Sequence, residues 1–136
     1  IGIALNIKKT LEEARKSGYV ETLLGRRRYL PELISESPQV RASAERMAIN
    51  MPVQGTTADI IKMAMNKINS QLSTLNSQLK MMVQVHDELL FEIKENKIAG
   101  YTKKIKDIME NVYKLKVPLK IDIKVGDNWE EMKELK

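Results

Sequence analysis

Apolar residues recur three or four apart at Ile3, Ile7, Leu11 and Ala14, with Lys8, Lys9, Glu12, Glu13, Arg15 and Lys16 between them. That spacing predicts an amphipathic helix closed by Gly18. Two short β-prone runs follow from Tyr19 to Pro31, hinged on Gly25, where a positive φ is cheap, and ended by the proline. They predict a hairpin. Ser37 followed by Pro38 is a helix start, with a capping hydroxyl and a proline at the first helical position. A helical pattern runs from Val40 to Met51 and is interrupted at Pro52. Proline has no N–H for the helix ladder, so a kink or break is expected near Asn50 and Met51, with the helix resuming from Thr56 to Leu72. Ile60, Ile61, Ala64, Met65 and Ile68 form one stripe of core character. The polar stretch from Asn69 to Gln78 predicts a loop or a frayed end.

Lys80 to Ile93 is the densest apolar segment. As strand, it puts Met81, Val83 and Val85 on one face and Met82, Gln84 and His86 on the other. Beyond a polar break at Asp87 and Glu88, Leu89, Phe91 and Ile93 share a face opposite Glu88, Leu90 and Glu92. Two strands and a tight turn are expected. Ile98, Tyr101, Ile105, Ile108, Met109 and Val112 then mark a Lys-rich amphipathic helix. Val117, Leu119, Ile121, Ile123 and Val125 alternate with Pro118, Lys120, Asp122 and Lys124, the clearest one-sided strand pattern in the chain, ended by Gly126-Asp-Asn-Trp129. The order of elements is that of an α+β fold, an antiparallel sheet with helices packed on one face.

The 136 residues carry 23 Lys and Arg against 18 Asp and Glu, a formal net charge of +5, with one histidine and no cysteine. A chain of this length buries about two thirds of its unfolded surface, as one domain or part of one. The absence of cysteine excludes a disulfide scaffold, a thiolate metal site and a thiol nucleophile, and sets a reducing, cytoplasmic location as the expectation. With 43% hydrophobic and 30% charged residues the composition is globular. No apolar run approaches the ~18 residues of a membrane span, and no signal peptide opens the chain, so no membrane partner is expected. The first residue is Ile1, which fits a trimmed piece of something longer. The basic balance favours an anionic partner only weakly.

Candidate chemistry concentrates at His86-Asp87-Glu88, three ionisable residues in the middle of the most apolar segment. A solvated hairpin tip explains such a cluster. Against that, no Gly or Asn adjoins Asp87, so the tip lacks ordinary turn chemistry. Adjacent carboxylates at a strand end suit Mg2+, which is held by one or two carboxylates plus substrate phosphates. Neighbouring strand side chains point to opposite faces, so Asp87 is the candidate inner ligand and Glu88 the secondary one.

A second constellation is Arg41, Arg46, Asn50 and Gln54. On a helix Arg46 and Asn50 lie one turn apart, and Gln54 follows within about 80° of Arg46. A solvated helix face is one reading. Contact with a duplex minor groove is the other, because Arg, Asn and Gln donate to acceptors that occupy similar places in every base pair. Gly25-Arg26-Arg27-Arg28 is equally a phosphate-binding tip or a solvated one.

Taken together, Gly18-Tyr-Val-Glu-Thr-Leu-Leu-Gly-Arg-Arg-Arg-Tyr-Leu-Pro31, Ala44-Glu-Arg-Met-Ala-Ile-Asn-Met-Pro-Val-Gln-Gly-Thr-Thr-Ala-Asp-Ile-Ile-Lys62, Gln84-Val-His-Asp-Glu-Leu-Leu-Phe-Glu92 and Gly126-Asp-Asn-Trp129 resemble the C-terminal end of bacterial family A DNA polymerases, the DNA polymerase I type. The resemblance covers essentially the whole chain, in order. It implies a right-hand fold, with residues 1–34 the tail of the fingers and residues 35–136 the C-terminal half of the palm. Asp87 matches the metal-binding aspartate of the family's third polymerase motif, Glu88 its acidic neighbour, and His86 a histidine at the primer end. Arg46, Asn50 and Gln54 match helix residues lying against primer and template, and Arg41 a DNA-contacting arginine. The implied reaction is attack of a primer 3′-hydroxyl on the α-phosphate of a dNTP at a two-Mg2+ site.

The family's first catalytic motif and its nucleotide-gripping fingers helix have no counterpart here. The chain alone is therefore expected not to polymerise, to depend on the rest of the polymerase for dNTP, and to be prone to self-association through an exposed sheet edge. A non-catalytic duplex-binding module, using the Arg46, Asn50 and Gln54 face and the basic helix around Lys103, Lys104 and Lys106, is the alternative. A single-subunit RNA polymerase shares the His-Asp turn, but Glu88 and the helix around Asn50 look like the DNA enzymes.

Overall fold

In a computed structural model, residues 2–72 and 78–135 are described; Ile1, residues 73–77 of the expected loop, Lys136 and the side chains of residues 2–6, Ile3 among them, lie outside the described residues. The chain is α+β, as the pattern predicts, with three α-helices and three two-stranded antiparallel ribbons among the described residues. It divides into two compact units, Ile1–Asp59 and Ile60–Lys136. No helix among the described residues is long and apolar enough to cross a membrane.

In the first unit, helix α1 spans Gly2–Ser17 and ends on Arg15 and Lys16, cations at the negative end of the helix dipole. Gly18, at φ 79°, stops it, its N–H donating to the Ala14 carbonyl at 2.8 Å. Strands β1 (Tyr19–Glu21) and β2 (Arg27–Tyr29) form the expected hairpin, with Val20 opposite Arg28 and Gly25 at φ 82° in the loop. Pro31–Ile34 is a single 3-10 turn that buries Leu33. Val20, Leu30 and Leu33 share a buried cluster with Ala14 of α1 and with Ala44, Ala48 and Met51 of helix α2, which begins at Pro38.

The expected break at Pro52 does not occur. Helix α2 is one element, Pro38–Leu72, with Pro52 inside it, and it takes in Asn69 to Gln71 from the stretch read as loop. A mid-helix proline costs about 3 kcal/mol or more, because one ladder hydrogen bond is lost and the ring crowds the preceding turn. Here the following turn is held from outside. The Thr56 hydroxyl donates to the Pro52 carbonyl and accepts the Leu23 N–H at 3.0 Å. Arg26 donates to the Gly55 carbonyl at 3.0 Å and pairs with Asp59 at 2.7 Å. The hairpin thus holds the turn that follows the proline; none of these bonds goes to the Ala48 carbonyl, the ladder acceptor for which Pro52 has no N–H.

In the second unit, Ile60, Ile61, Ala64 and Ile68 are buried as the stripe predicts, with Met65 half-buried. Strands β3 (Leu79–Val85) and β4 (Glu88–Ile93) pair antiparallel, and helix α3 spans Ile98–Glu110. Ile68 and Leu72 join Tyr101, Ile105 and Ile108 of α3 in a core against which Leu79, Met81, Leu89, Phe91 and Ile93 pack, so the helices cover one face of the ribbon. Val112 lies beyond the end of α3.

Two strand expectations are corrected. Met81 pairs with Phe91 but Val83 with Leu90, so Met82 is an extra residue that shifts the register. One inserted residue exchanges the faces of everything after it. Val83 and Val85 consequently leave the core face of Met81 and stand exposed, and Gln84 comes onto the face of Leu89. The alternating segment 117–125 forms strand only at Lys124–Val125 (β5), paired with Lys133–Glu134 (β6). Leu119, Ile121 and Ile123 are half-buried while Lys120 and Asp122 are exposed, so the one-sided pattern is expressed from Leu119 onward, whereas Val117, expected on the same face, is 71% exposed. Ahead of Lys124 the backbone bonds are isolated ones, the Leu135 N–H donating to the Ile123 carbonyl at 2.8 Å and the Ile121 N–H to the Glu110 carboxylate at 3.1 Å, so no continuous ladder forms there among the described residues.

Gly55 shows how closely hairpin and helix approach. A Cβ built there meets the Thr22 methyl at 2.6 Å and an Arg26 guanidinium nitrogen at 3.2 Å, whereas one at Gly100 in α3 meets nothing. Both glycines are helical, and alanine gains about 1 kcal/mol of helix propensity at such positions. Gly100→Ala is therefore expected to stabilise by about 0.5–1 kcal/mol. Gly55→Ala is expected to destabilise by about 1–2 kcal/mol, because overpacking exceeds the propensity gain. Chemical denaturation of the two variants side by side checks the opposite signs.

Candidate functional site

The β3–β4 hairpin turns on two residues, His86 and Asp87, between the paired Val85 and Glu88. The polar break therefore sits one residue earlier than the expected Asp87 and Glu88, and Glu88 is the first residue of β4. A two-residue connection closing directly on a Val85–Glu88 pair requires this placement. His86 is at φ 53°, the one positive φ outside glycine among the described residues, in the first loop position, where type II′ hairpins prefer glycine. The Gln84 side-chain amide donates to the His86 carbonyl at 3.0 Å and braces the turn. Gln84 was not singled out from the sequence, because only the register shift at Met82 reveals which neighbours it faces.

His86, Asp87 and Glu88 are exposed, and their side chains make no hydrogen bond or ion pair among the described residues. Asp87 lies in the turn and Glu88 in the strand, so the two carboxylates are presented by different local geometries. Among the described residues no group of three or more His, Cys, Asp or Glu side chains is placed to hold a metal ion. Asp87 and Glu88 by themselves offer a hard cation such as Mg2+ at most a partial donor set of one or two carboxylates.

The second candidate set lies on α2, in the first unit. Because α2 stays helical through Pro52, Arg46, Asn50 and Gln54 keep their four-residue spacing along about 12 Å of one face. All three are exposed, with no side-chain hydrogen bond or ion pair among the described residues. Arg41 differs. It is half-buried, and its guanidinium donates to the Ser35 carbonyl at 3.1 Å, closing the 3-10 turn against the start of α2.

The three adjacent arginines of the first hairpin do not form a free phosphate-binding tip. Arg26 is bound to Gly55 and Asp59, and Arg28 donates to the Met47 sulfur at 3.3 Å. Arg27 pairs with Glu21 and lies 4.5 Å over the Tyr19 ring. The hydrogen bond that its guanidinium donates to the Glu21 carboxylate is the main reason that its pKa is held above the ordinary arginine value.

A non-glycine residue with positive φ costs about 1–2 kcal/mol, and such strain persists where function requires the side chain. His86→Gly is expected to raise stability by about 1 kcal/mol while removing the imidazole. Chemical denaturation checks this; a loss of stability would show that His86 sits in its turn without strain.

A sequence model described as DNA polymerase family A matches residues 2–131. A thermostable DNA polymerase I of Thermus filiformis is 51% identical over 94% of this chain, and the DNA polymerase I of Deinococcus radiodurans is 48% identical over 97%. A solved POL domain of Pol1 from M. smegmatis, in complex with DNA primer-template and dNTP, superposes with a TM-score of 0.80 at 46% identity, covering 84% of this chain and 20% of that one. The chain spans about 15% of the length of the curated relatives it matches. With the family matched along nearly its whole length, and with the candidate residues in their expected order on α2 and the β3–β4 tip, this chain belongs to DNA polymerase family A.

Proposed function

We propose that this chain is the C-terminal portion of a template-directed DNA polymerase, with residues 1–34 the tail of the fingers and residues 35–136 the second half of the palm. The polymerase joins a primer 3′-hydroxyl to the α-phosphate of a dNTP with loss of pyrophosphate. The observation that supports this reading is the β3–β4 tip, where Asp87 and Glu88 are exposed, unpaired and presented on a braced turn within a chain of the polymerase family. Asp87 is the inner Mg2+ ligand and Glu88 the secondary one. When bound, Mg2+ neutralises charge on the attacking and leaving oxygens. His86 contacts the primer end from a positive-φ conformation that bulky and β-branched side chains tolerate poorly. Arg46, Asn50 and Gln54 donate to the minor-groove edges of primer and template, contacts that sense base-pair geometry without reading sequence. Arg41 positions DNA from the helix start while tied to Ser35. The remaining metal ligand and the dNTP contacts come from elsewhere in the polymerase.

In the full-length polymerase, Asp87→Asn is expected to lower kcat by at least about a hundredfold, and Glu88→Gln by less. Extension at near-normal rate by the Asp87→Asn enzyme removes Asp87 from the metal role. Arg46→Ala is expected to weaken primer–template binding by about 1.5–3 kcal/mol, the worth of one charged hydrogen bond, measured by titration at fixed salt. The isolated 136-residue chain is expected to extend no primer with Mg2+ and dNTPs. Duplex binding by that isolated chain, with a steep salt dependence, is what the alternative of a non-catalytic module requires.

A further inference from the structure

The β1–β2 hairpin touches α2 on both sides of Pro52. Ahead of the proline, Val20 and Leu30 share the buried cluster of Ala44, Ala48 and Met51, and Arg28 reaches Met47. Behind it, the hairpin loop holds the next turn at three points: Leu23 N–H to the Thr56 hydroxyl, Arg26 to the Gly55 carbonyl, and Arg26 to Asp59, whose side chain is 11% exposed. The loop is itself braced: the Thr22 N–H donates to the Arg26 carbonyl at 3.0 Å, the Gly25 N–H to the Thr22 carbonyl at 3.0 Å and the Arg26 N–H to the Thr22 hydroxyl at 3.1 Å. Gly55 admits this approach because any Cβ would collide with Thr22.

Pro52 lies between Asn50 and Gln54. A proline joint lacks one ladder bond and is where helices bend. A bend or twist there changes the rotation of Gln54 relative to Arg46 and Asn50, and so spoils a single face that must meet one groove. We propose that Arg26 is a positioning residue: with Thr56 and Gly55 it makes the hairpin a splint across Pro52 that holds Gln54 in register with Arg46 and Asn50. The splint rests on the reading above that this face meets primer–template DNA. Arg26 touches no DNA itself, and its arginine is needed because Nε and Nη2 serve Asp59 and Gly55 at once, a fork that lysine cannot reproduce.

The test uses the full-length polymerase with Arg26→Ala, Arg26→Lys, Pro52→Ala and the double variant Arg26→Ala/Pro52→Ala. Arg26→Ala is expected to raise the primer–template Kd about tenfold with kcat at saturating DNA within about twofold, the signature of lost binding without lost chemistry. Arg26→Lys is expected to fall between. Pro52→Ala restores the missing ladder bond, so the double variant is expected to recover most of the affinity. Hydrogen exchange without DNA is expected to show amides 53–59 losing protection in Arg26→Ala and regaining it in the double variant. If Arg26→Ala fails to fold, Thr56→Val, which removes one hydroxyl of the splint, serves with the same readouts. Unchanged Kd in a folded Arg26→Ala enzyme, or a raised Kd that Pro52→Ala does not recover, overturns the proposal. Unchanged exchange at 53–59 overturns it without reference to DNA, whereas failure of the polymerase reading shows separately as extension by the Asp87→Asn enzyme.

Discussion

Helix α2 has to remain a helix across a proline, and the first compact unit is organised around that requirement. A residue without an N–H in mid-helix leaves a carbonyl unserved and a turn crowded. That loss is not made good in the ladder; instead a hairpin distant in sequence fixes the helix beyond the proline, its loop donating a backbone N–H and a forked guanidinium to Thr56, Gly55 and Asp59. Gly55, unfavourable in a helix on propensity alone, is explained by the same contact, because the hairpin needs the space that a side chain would fill. Arg26, which reads as one of three surface cations in a basic run, is bound to the helix through a largely buried partner.

Local rules are broken again at the β3–β4 tip, with a different solution. A two-residue turn without glycine or asparagine is poor turn chemistry, and His86 takes the positive φ instead. Gln84 braces it through the carbonyl of His86. Consistency between local preference and global fold is what makes a chain foldable, so departures from it gather where something besides stability is required. Both departures here coincide with candidate functional residues: Pro52 separates Asn50 from Gln54, and the strained turn presents His86 and Asp87.

Much of this was legible along the chain. The 3.6-residue stripes of α1, the second half of α2 and α3 predict the helices, and in the last two most of the buried residues as well, because burial of an apolar face dominates other local preferences. Gly25 announces a positive φ and Gly18 the end of α1, and the structure has both. The motifs that carry His86, Asp87 and Glu88, and those that carry Arg46, Asn50 and Gln54, are readable because chemistry demands residue types at fixed spacing. Periodicity could not show the extra residue at Met82, which moves Val83 and Val85 to the exposed face. A bulge has no local signature, and it is decided by the pairing of β3 with β4.

Residues 117–125 illustrate the other limit. Their alternation correctly separates half-buried Leu119, Ile121 and Ile123 from exposed Lys120 and Asp122, yet a ladder needs a neighbouring strand, and only Lys124–Val125 has one among the described residues. Amino-acid order by itself determined the buried stripes of the later helices, the first hairpin at Gly25, the α+β class and the family, since these follow from side-chain hydrophobicity, glycine stereochemistry and motif spacing. Tertiary structure alone decided that Pro52 would be spanned rather than broken, which face each residue of β3 would occupy and what Arg26 would hold. Each of these depends on hydrogen-bond partners far away in sequence, and a partner's position is a property of the folded chain.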